Sequence, residues 1–342
     1  MYKILFITRG AGTLELRQTP GGTGVSVDGQ YRFYTNEFIP DPDFVIVRGK
    51  GFTGDIKLHV APQNIMLVTS EPYSVLSYPK GYCRQFGLVC SCQENLRLPN
   101  VIYTPAILTW FVGIDHDRNL RVTMNREDIA AARPEKTRLI SVVTSDKAFT
   151  QGHIDRIRFV RRLQEHYGDR IDVFGRGYRP FGDKWNVLAP YKYHIAIENS
   201  VSAYYWTEKI SDCYLAGTYP LYYGCPNIGN YFPEGAFTPV DIRNPDRAIA
   251  AIDKAIAADA YGNHRAELAE SKRLVMDEYN MYDYMAGICR RHLDPSAPKK
   301  DITLRPASRF FDAHNLYLYT IGRNYYKLKG RLLACKRPPF AR

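Results

Sequence analysis

Short apolar runs alternate with amphipathic stretches along most of this chain, and that alternation limits its fold more than any other feature. Leu139-Ile-Ser-Val-Val-Thr144 is apolar without a helical period, and it is followed by His153–Tyr167, where Ile154, Ile157, Phe159, Val160 and Leu163 recur at helical spacing. Further apolar runs follow at Ile171-Asp-Val-Phe174, Tyr193–Ile197 and Tyr219–Tyr223. Upstream, Lys3–Thr8, Phe44–Arg48, Ile65–Thr69, Leu88–Cys90 and Val101–Tyr103 read the same way, with Gly21-Gly-Thr-Gly24 and Pro40-Asp-Pro42 among the links. Runs this short, joined through helices by short connections, predict strands of parallel sheets and an α/β fold. Helices are expected over Thr207–Ala216 (closed by Gly217), Arg247–Ala258 and, as one element, His264–Leu293.

A chain of 342 residues suffices for two domains with their own cores. The runs fall into two series, which predicts two Rossmann-like domains around a cleft, residues 1–130 and 131–300, with a linker in Asn125–Lys136 and a tail over 301–342.

The net charge of +11 attracts anions. No zinc-finger spacing, ribonucleoprotein motif or heptad-linked basic region is present, so nucleic acid is not an expected partner. Phosphate-bearing small molecules and a membrane surface remain. Gly21–Gly24 lacks the Gly-Lys-Ser/Thr ending of a phosphate-binding loop and reads as a turn, and no Gly-x-Gly-x-x-Gly follows the first strand, which argues against a dinucleotide-dependent dehydrogenase. Met1–Arg9 is too short and too soon polar for a signal peptide, and no apolar run reaches the roughly 20 residues of a spanning helix. The seven cysteines are scattered, and the Cys83, Cys90, Cys92 cluster lacks a fourth ligand nearby, so free thiols in a reducing cytoplasm are expected.

The segment from Tyr191 to Gly224 carries the chemistry. It reads as strand, polar loop, helix start, helix, strand, glycine. Ligands of open α/β sheets sit at the carboxyl ends of strands, where Glu198-Asn199-Ser200 falls. Thr207 is placed to cap the following helix, and Glu208 and Lys209 lie in its first turn. Exposed N–H groups and the helix dipole favour anions there, so a lysine makes sense if it meets a phosphate.

This stretch resembles the signature of the α-1,3/1,4-fucosyltransferases, glycosyltransferase family 10. The elements that carry the resemblance are Tyr191-Lys-Tyr193, Glu198-Asn-Ser200, Thr207-Glu-Lys209, Gly217-Thr-Tyr-Pro220 and Gly224-Cys-Pro226, followed by Asn230-Tyr-Phe-Pro233, Ala236-Phe237 and Val240-Asp-Ile242. Val173-Phe-Gly-Arg176 resembles the family's turn upstream. The resemblance covers residues 139–245, and His194 and Trp206 depart from it. Met66-Leu-Val-Thr-Ser-Glu-Pro72 is similar to the strand-end glutamate that serves the family as base.

The resemblance implies the GT-B architecture, two Rossmann-like domains facing a cleft, and an inverting transfer of L-fucose from GDP-β-L-fucose to a hydroxyl of an oligosaccharide acceptor. Glu71 would be the base. Arg176 and Lys209 would stabilise the leaving diphosphate. Glu198, Ser200 and Thr207 would belong to the donor site, Glu208 would hold sugar hydroxyls, and Asn199 and Tyr205 would position fucose and phosphates. A cell-surface glycan or lipopolysaccharide is the acceptor class the family suggests. Residues 139–245 contain no Asp-x-Asp, so no cofactor is expected to be essential, with manganese or magnesium at most stimulatory. Another nucleotide-activated sugar on the same fold, or a non-catalytic glycan- or nucleotide-binding module, are the alternative readings.

Asn315–Lys336 mixes Tyr and Leu with Arg323, Lys327, Lys329, Arg331 and Lys336 and has no acid. It reads either as a basic amphipathic helical tail lying on an anionic membrane or as a helix packed on the second domain through Leu316, Leu318 and Ile321. The first reading gives a cytoplasmic protein, peripheral on the inner membrane.

Overall fold

The computed structural model describes residues 1–9, 12–73, 75–117, 120–145, 151–311 and 324–325. The tail segment Asn315–Lys336 lies outside the described residues apart from Asn324 and Tyr325.

In the first half, strands β1 (Tyr2–Ile7), β2 (Tyr31–Thr35), β3 (Phe44–Arg48), β4 (Ile56–Val60), β5 (Ile65–Val68), β6 (Leu88–Ser91) and β7 (Val101–Tyr103) accompany short helices α1 (Gly12–Glu15) and α2 (Lys80–Cys83). Six of the strands form one parallel sheet in the order β2-β1-β3-β5-β6-β7. The central strands are apolar throughout because both faces are covered. Ile4, Phe6, Ile46 and Met66 face one core, while Leu5, Val45, Leu67 and Val89 face the other.

A small hairpin of β8 (Ile114–Asp115) and β9 (Arg121–Val122) precedes α3 (Arg126–Ala131). That helix occupies the expected linker and starts at a capping box, with Asn125 Oδ1 accepting from Asp128 N.

The second half holds β10 (Arg138–Val143), α4 (Gln151–Tyr167), β11 (Ile171–Phe174), β12 (Tyr191–Ile197), α5 (Glu208–Leu215), β13 (Tyr219–Tyr223) and β14 (Thr238–Pro239), then α6 (Pro245–Ala257), α7 (Ala260–Asn263) and α8 (Arg265–Asp277). Its sheet is parallel in the order β11-β10-β12-β13-β14. Counted within each sheet, both orders begin 2-1-3-4-5, and both reverse beside their first strand. Such a reversal opens a crevice at the strand carboxyl ends. Two Rossmann-like units facing each other are the GT-B architecture.

The long helix expected over His264–Leu293 is broken. Asn280 is fully buried. Its Oδ1 accepts from Tyr282 N at 2.9 Å, capping α9 (Met281–His292), and its Nδ2 donates to Gln18 O at 2.7 Å. Helix α9 buries Met281, Tyr282, Met285 and Ile288 against Phe6, Phe33 and Met66 of the first sheet. Strand β15 (Lys300–Leu304) then pairs antiparallel with β4, Ile302 opposite Leu58. The chain from Met281 therefore packs on the first unit, not on a second domain running to residue 300 as expected. A continuous helical period carries no mark of a change of packing partner, and Asn280 is the one local sign of it.

Candidate active site

Strand β12 is buried along nearly its whole length and ends at Glu198, whose backbone N–H donates to Tyr223 O on β13. The Glu198 side chain is 1% exposed. Its Oε1 accepts from Thr207 N at 2.8 Å, and both carboxylate oxygens accept from Thr207 Oγ1 at 2.9 Å. Thr207 in turn caps α5 by accepting from Lys209 N. The cap thus joins the strand end to the helix start, and Glu208 and Lys209 project from the first turn.

Lys209 Nζ lies 3.0 Å from Thr207 Oγ1, 3.2 Å from Glu208 Oε1 and 3.2 Å from Glu198 Oε2. An ammonium has three protons, and three oxygens surround this one. Burial disfavours the charged amine, but Glu198 and Glu208 together raise it above the ordinary lysine range. Burial raises the Glu198 carboxyl. For Glu208 burial acts in the same direction but is outweighed by Lys209 and Lys184, which hold the carboxyl below its usual value. Lys184 reaches this corner from below, 2.9 Å from Asp212 Oδ2, with both side chains buried.

A cavity of about 620 Å³ opens at the point where the second sheet reverses. Val143, Thr144 and Ser145 line it from the end of β10, and Arg176 from the turn after β11. His194 to Ile197 contribute from β12, and Glu208 and Lys209 from α5. His194 is 2.8 Å from Ser141 Oγ through Nδ1, and burial pushes its pKa well below the ordinary value, so it is neutral. This polar strand histidine is a satisfied wall of the cavity.

Arg156 was not legible as a site residue. It is 6% exposed, lines the cavity, and donates to Asn199 Oδ1 at 2.8 Å and to Ser145 Oγ at 3.2 Å. Its Nε is buried without a partner among the described residues. Burial lowers its pKa to about 10, which leaves it charged at neutral pH. The signal was available in spacing. Arg156, Val160, Leu163 and Tyr167 share the buried stripe of α4, and an arginine in register with a core stripe needs a reason. Lys184 and Asp212 were missed as well, because neither belongs to a recognisable motif.

The remaining expected donor-site residues separate. Asn199 meets Arg156, and Ser200 is half-buried at the loop start. Tyr205 does not line the cavity. It is 2% exposed and packs with Cys92 and Ala106 of the first unit. Trp206 packs against Phe232, Tyr231 and Tyr279 in the second core. The loop that precedes them, residues 200–204, is tied across the cleft. Tyr204 stacks on Tyr103 at 5.3 Å, and Glu94 Oε2 accepts from Ser202 Oγ and Ala203 N at 3.0 and 3.1 Å.

Glu71 stands opposite, at the carboxyl end of β5. Its carbonyl accepts from Gln93 Nε2 at 2.7 Å, and the same amide donates to Leu76 O at 2.7 Å, which pins the Glu71 turn to the loop after β6. Burial raises its carboxyl; Lys209 opposes this, while Glu208 and Glu198 add to it. The charges of the second unit therefore act on this first-unit side chain.

Gly224 closes the turn after β13. A Cβ there would stand 2.4 Å from Glu198 Cγ and 2.6 Å from the Tyr222 hydroxyl oxygen. Gly224→Ala is expected to displace Glu198 and cost about 1–3 kcal/mol of stability. A variant with unchanged melting temperature would show that Glu198 has room to move.

Residues 133–261 match the profile of the glycosyltransferase family 10 (fucosyltransferase) C-terminal region. The chain is 37% identical over 92 residues to 4-galactosyl-N-acetylglucosaminide 3-alpha-L-fucosyltransferase FUT6 of Pongo pygmaeus, covering 25% of each protein. It is 38% identical over 68 residues to alpha-(1,3)-fucosyltransferase FucT of Helicobacter pylori, covering 20% of this chain and 14% of that one. The match thus spans about a quarter or less of the length of these curated relatives. Among solved structures, an alpha1,3-fucosyltransferase with GDP aligns at TM-score 0.48 and 16% identity over 82% of this chain and 90% of that chain. The profile falls on the unit that holds the cavity and the Glu198–Lys209 corner, so it is this unit that is similar to the C-terminal region of glycosyltransferase family 10, the fucosyltransferases.

Proposed function

We propose that the protein transfers L-fucose from GDP-β-L-fucose to a hydroxyl of an acceptor glycan with inversion at the anomeric carbon. The observation that carries this reading is the coincidence of the family 10 match with the cavity at the reversal point of the second sheet. Four cations, Arg156, Arg176, Lys184 and Lys209, stand there with four carboxylates, Asp117, Glu198, Glu208 and Asp212. The cations are held in surroundings where burial strengthens electrostatics.

In the proposed step the acceptor oxygen attacks the anomeric carbon while Glu71 takes its proton. The bond to the diphosphate oxygen breaks, and GDP leaves with the bonding pair. Arg156 and Arg176 meet the diphosphate directly. Lys209, already surrounded by three oxygens, acts by holding Glu208 and Glu198 in place and exchanges one partner for a phosphate oxygen when the donor binds. Glu208 accepts from sugar hydroxyls.

This electrostatic work needs no divalent ion, so transfer is expected to survive EDTA. Complete loss in EDTA that manganese restores would contradict this; mild stimulation by manganese would not, since it can act on the GDP product. The basic tail is proposed to hold the protein on the cytoplasmic face of a membrane. Removing residues from 315 onward should then weaken binding to anionic vesicles in a salt-sensitive way, and unchanged vesicle binding would remove that role. The reading as a whole is tested by incubating the protein with GDP-fucose and N-acetyllactosamine and analysing the product by mass spectrometry and NMR. An α-linked fucosyl product is expected. Failure to consume GDP-fucose with any hydroxyl acceptor would overturn it.

A further inference from the structure

Glu71 belongs to one unit and the donor cavity to the other, so the distance between base and donor is set by whatever contacts span the cleft. Three consecutive residues after β6 make such contacts on both sides. Cys92 packs with Tyr205 of the second unit, and its Sγ lies 3.7 Å from Glu71 O. Gln93 is buried, and its side-chain amide donates both protons to carbonyls, those of Glu71 and Leu76. Its backbone is held as well, since Gln93 N donates to Ser91 Oγ at 3.0 Å and Ser91 Oγ donates to Gln93 O at 3.2 Å. Glu94 is exposed, yet one of its oxygens, Oε2, accepts from both Ser202 Oγ and Ala203 N. Tyr103 supports this contact from β7: its hydroxyl donates to Glu94 O at 3.2 Å, and its ring stacks on Tyr204 with the planes 20° apart.

The loop that Glu94 holds begins at the donor cavity. Asn199 accepts from Arg156, which lines that cavity, and Tyr205 closes the loop against Cys92. The stretch from Asn199 to Tyr205 is therefore tied at its start to the donor site, in its middle to Glu94 and at its end to Cys92. The same three residues of the first unit fix the carbonyl of Glu71. A misplacement of about 1 Å can cost an enzyme roughly 10²-fold in rate, so a base carried on a separate unit needs such support.

We propose that Gln93 and Glu94 are positioning residues for Glu71: Glu94 grips the loop after Asn199, Gln93 holds the turn that carries Glu71, and the donor site of one unit thereby sets the place of the base in the other. The proposal rests on Glu71 being the base of the transfer reading, and it concerns how that base is placed.

Glu94→Ala removes an exposed side chain and should leave the melting temperature and the calorimetric GDP affinity unchanged, while kcat falls by roughly 10–10²-fold. Glu94→Gln keeps an acceptor oxygen for Ser202 and Ala203 and should restore most of the turnover. Tyr103→Ala, which removes the stacking partner of the same loop, should lower kcat in the same sense. A positioning residue acts only through the group it places, so Glu71→Gln/Glu94→Ala should be no slower than Glu71→Gln alone. Losses that multiply in the double variant, full turnover in Glu94→Ala, or a GDP affinity that falls in step with kcat would overturn the proposal. Hydrogen exchange gives a readout that needs no transfer. GDP should slow exchange in the peptide covering residues 69–73 of the wild type, and this slowing should vanish in Glu94→Ala although that variant still binds GDP. If it does, and no fucose is transferred from GDP-fucose, the coupling stands and the transfer reading fails. Slowing that is absent from the wild type, or equal in both proteins, would overturn the coupling itself.

Discussion

Replacing Glu71 with Gln is expected to lower transfer by roughly 10²–10⁴-fold while leaving GDP affinity unchanged, the usual worth of a positioned general base. The amide keeps the shape and removes the proton acceptor. The donor-site acids are committed elsewhere: Glu198 is enclosed by Thr207 and Lys209, and Glu208 by Lys209. Glu71 lies across the cleft, on the side proposed for the acceptor, half-buried, with its carboxyl raised by desolvation. A base works only when deprotonated, so kcat/KM should fall as pH drops through the raised Glu71 pKa, above the range of an ordinary glutamate. Glu71→Gln should abolish that limb along with the rate. A variant with near wild-type turnover would move the role to another first-unit acid, although Glu94 is engaged by Ser202 and Ala203.

Lys209→Ala should weaken GDP binding by about 1.5–3 kcal/mol, the worth of a charge-assisted contact, and reduce turnover further. It should also lower stability, because two buried carboxylates lose their shared counter-ion. Breaking a buried pair costs about 3–5 kcal/mol; Lys209 retains 21% side-chain exposure, which places the loss toward the lower figure. Calorimetric GDP titration and thermal melting separate the two effects. Unchanged affinity and unchanged melting temperature together would remove Lys209 from both roles.

Much of the fold was legible because the buried parallel strands are continuous apolar runs. Phe44–Arg48, Val101–Tyr103, Ile171–Phe174 and Tyr219–Tyr223 have the bounds read from sequence. What escaped is what tertiary packing decides. Strand β2 (Tyr31–Thr35) mixes polar residues because it lies at a sheet edge. Strands β4 and β15 form a two-stranded ribbon whose partner is far away in sequence. Helix α9 continues the period of α8 but buries its face against the other unit. At the site, the Glu198–Thr207–Lys209 corner was legible because cap chemistry is local. Arg156 and the Lys184–Asp212 pair were not, since their partners lie at sequence separations of 43 and 28. Tyr205 sits near the motif in sequence yet packs on the first unit, which sequence proximity cannot reveal.

The cavity beside Glu208 and Lys209 is proposed to take a GDP-activated fucose. The most direct test is a thermal-shift comparison of GDP-fucose, GDP-mannose, UDP-glucose and UDP-galactose on the full chain. A true donor at 100 times its dissociation constant stabilises the fold by about 2.7 kcal/mol. The largest shift is expected with GDP-fucose, and a smaller one in Lys209→Ala relative to that variant's own melting point. A larger shift with either UDP-sugar, or none with GDP-fucose, would contradict it.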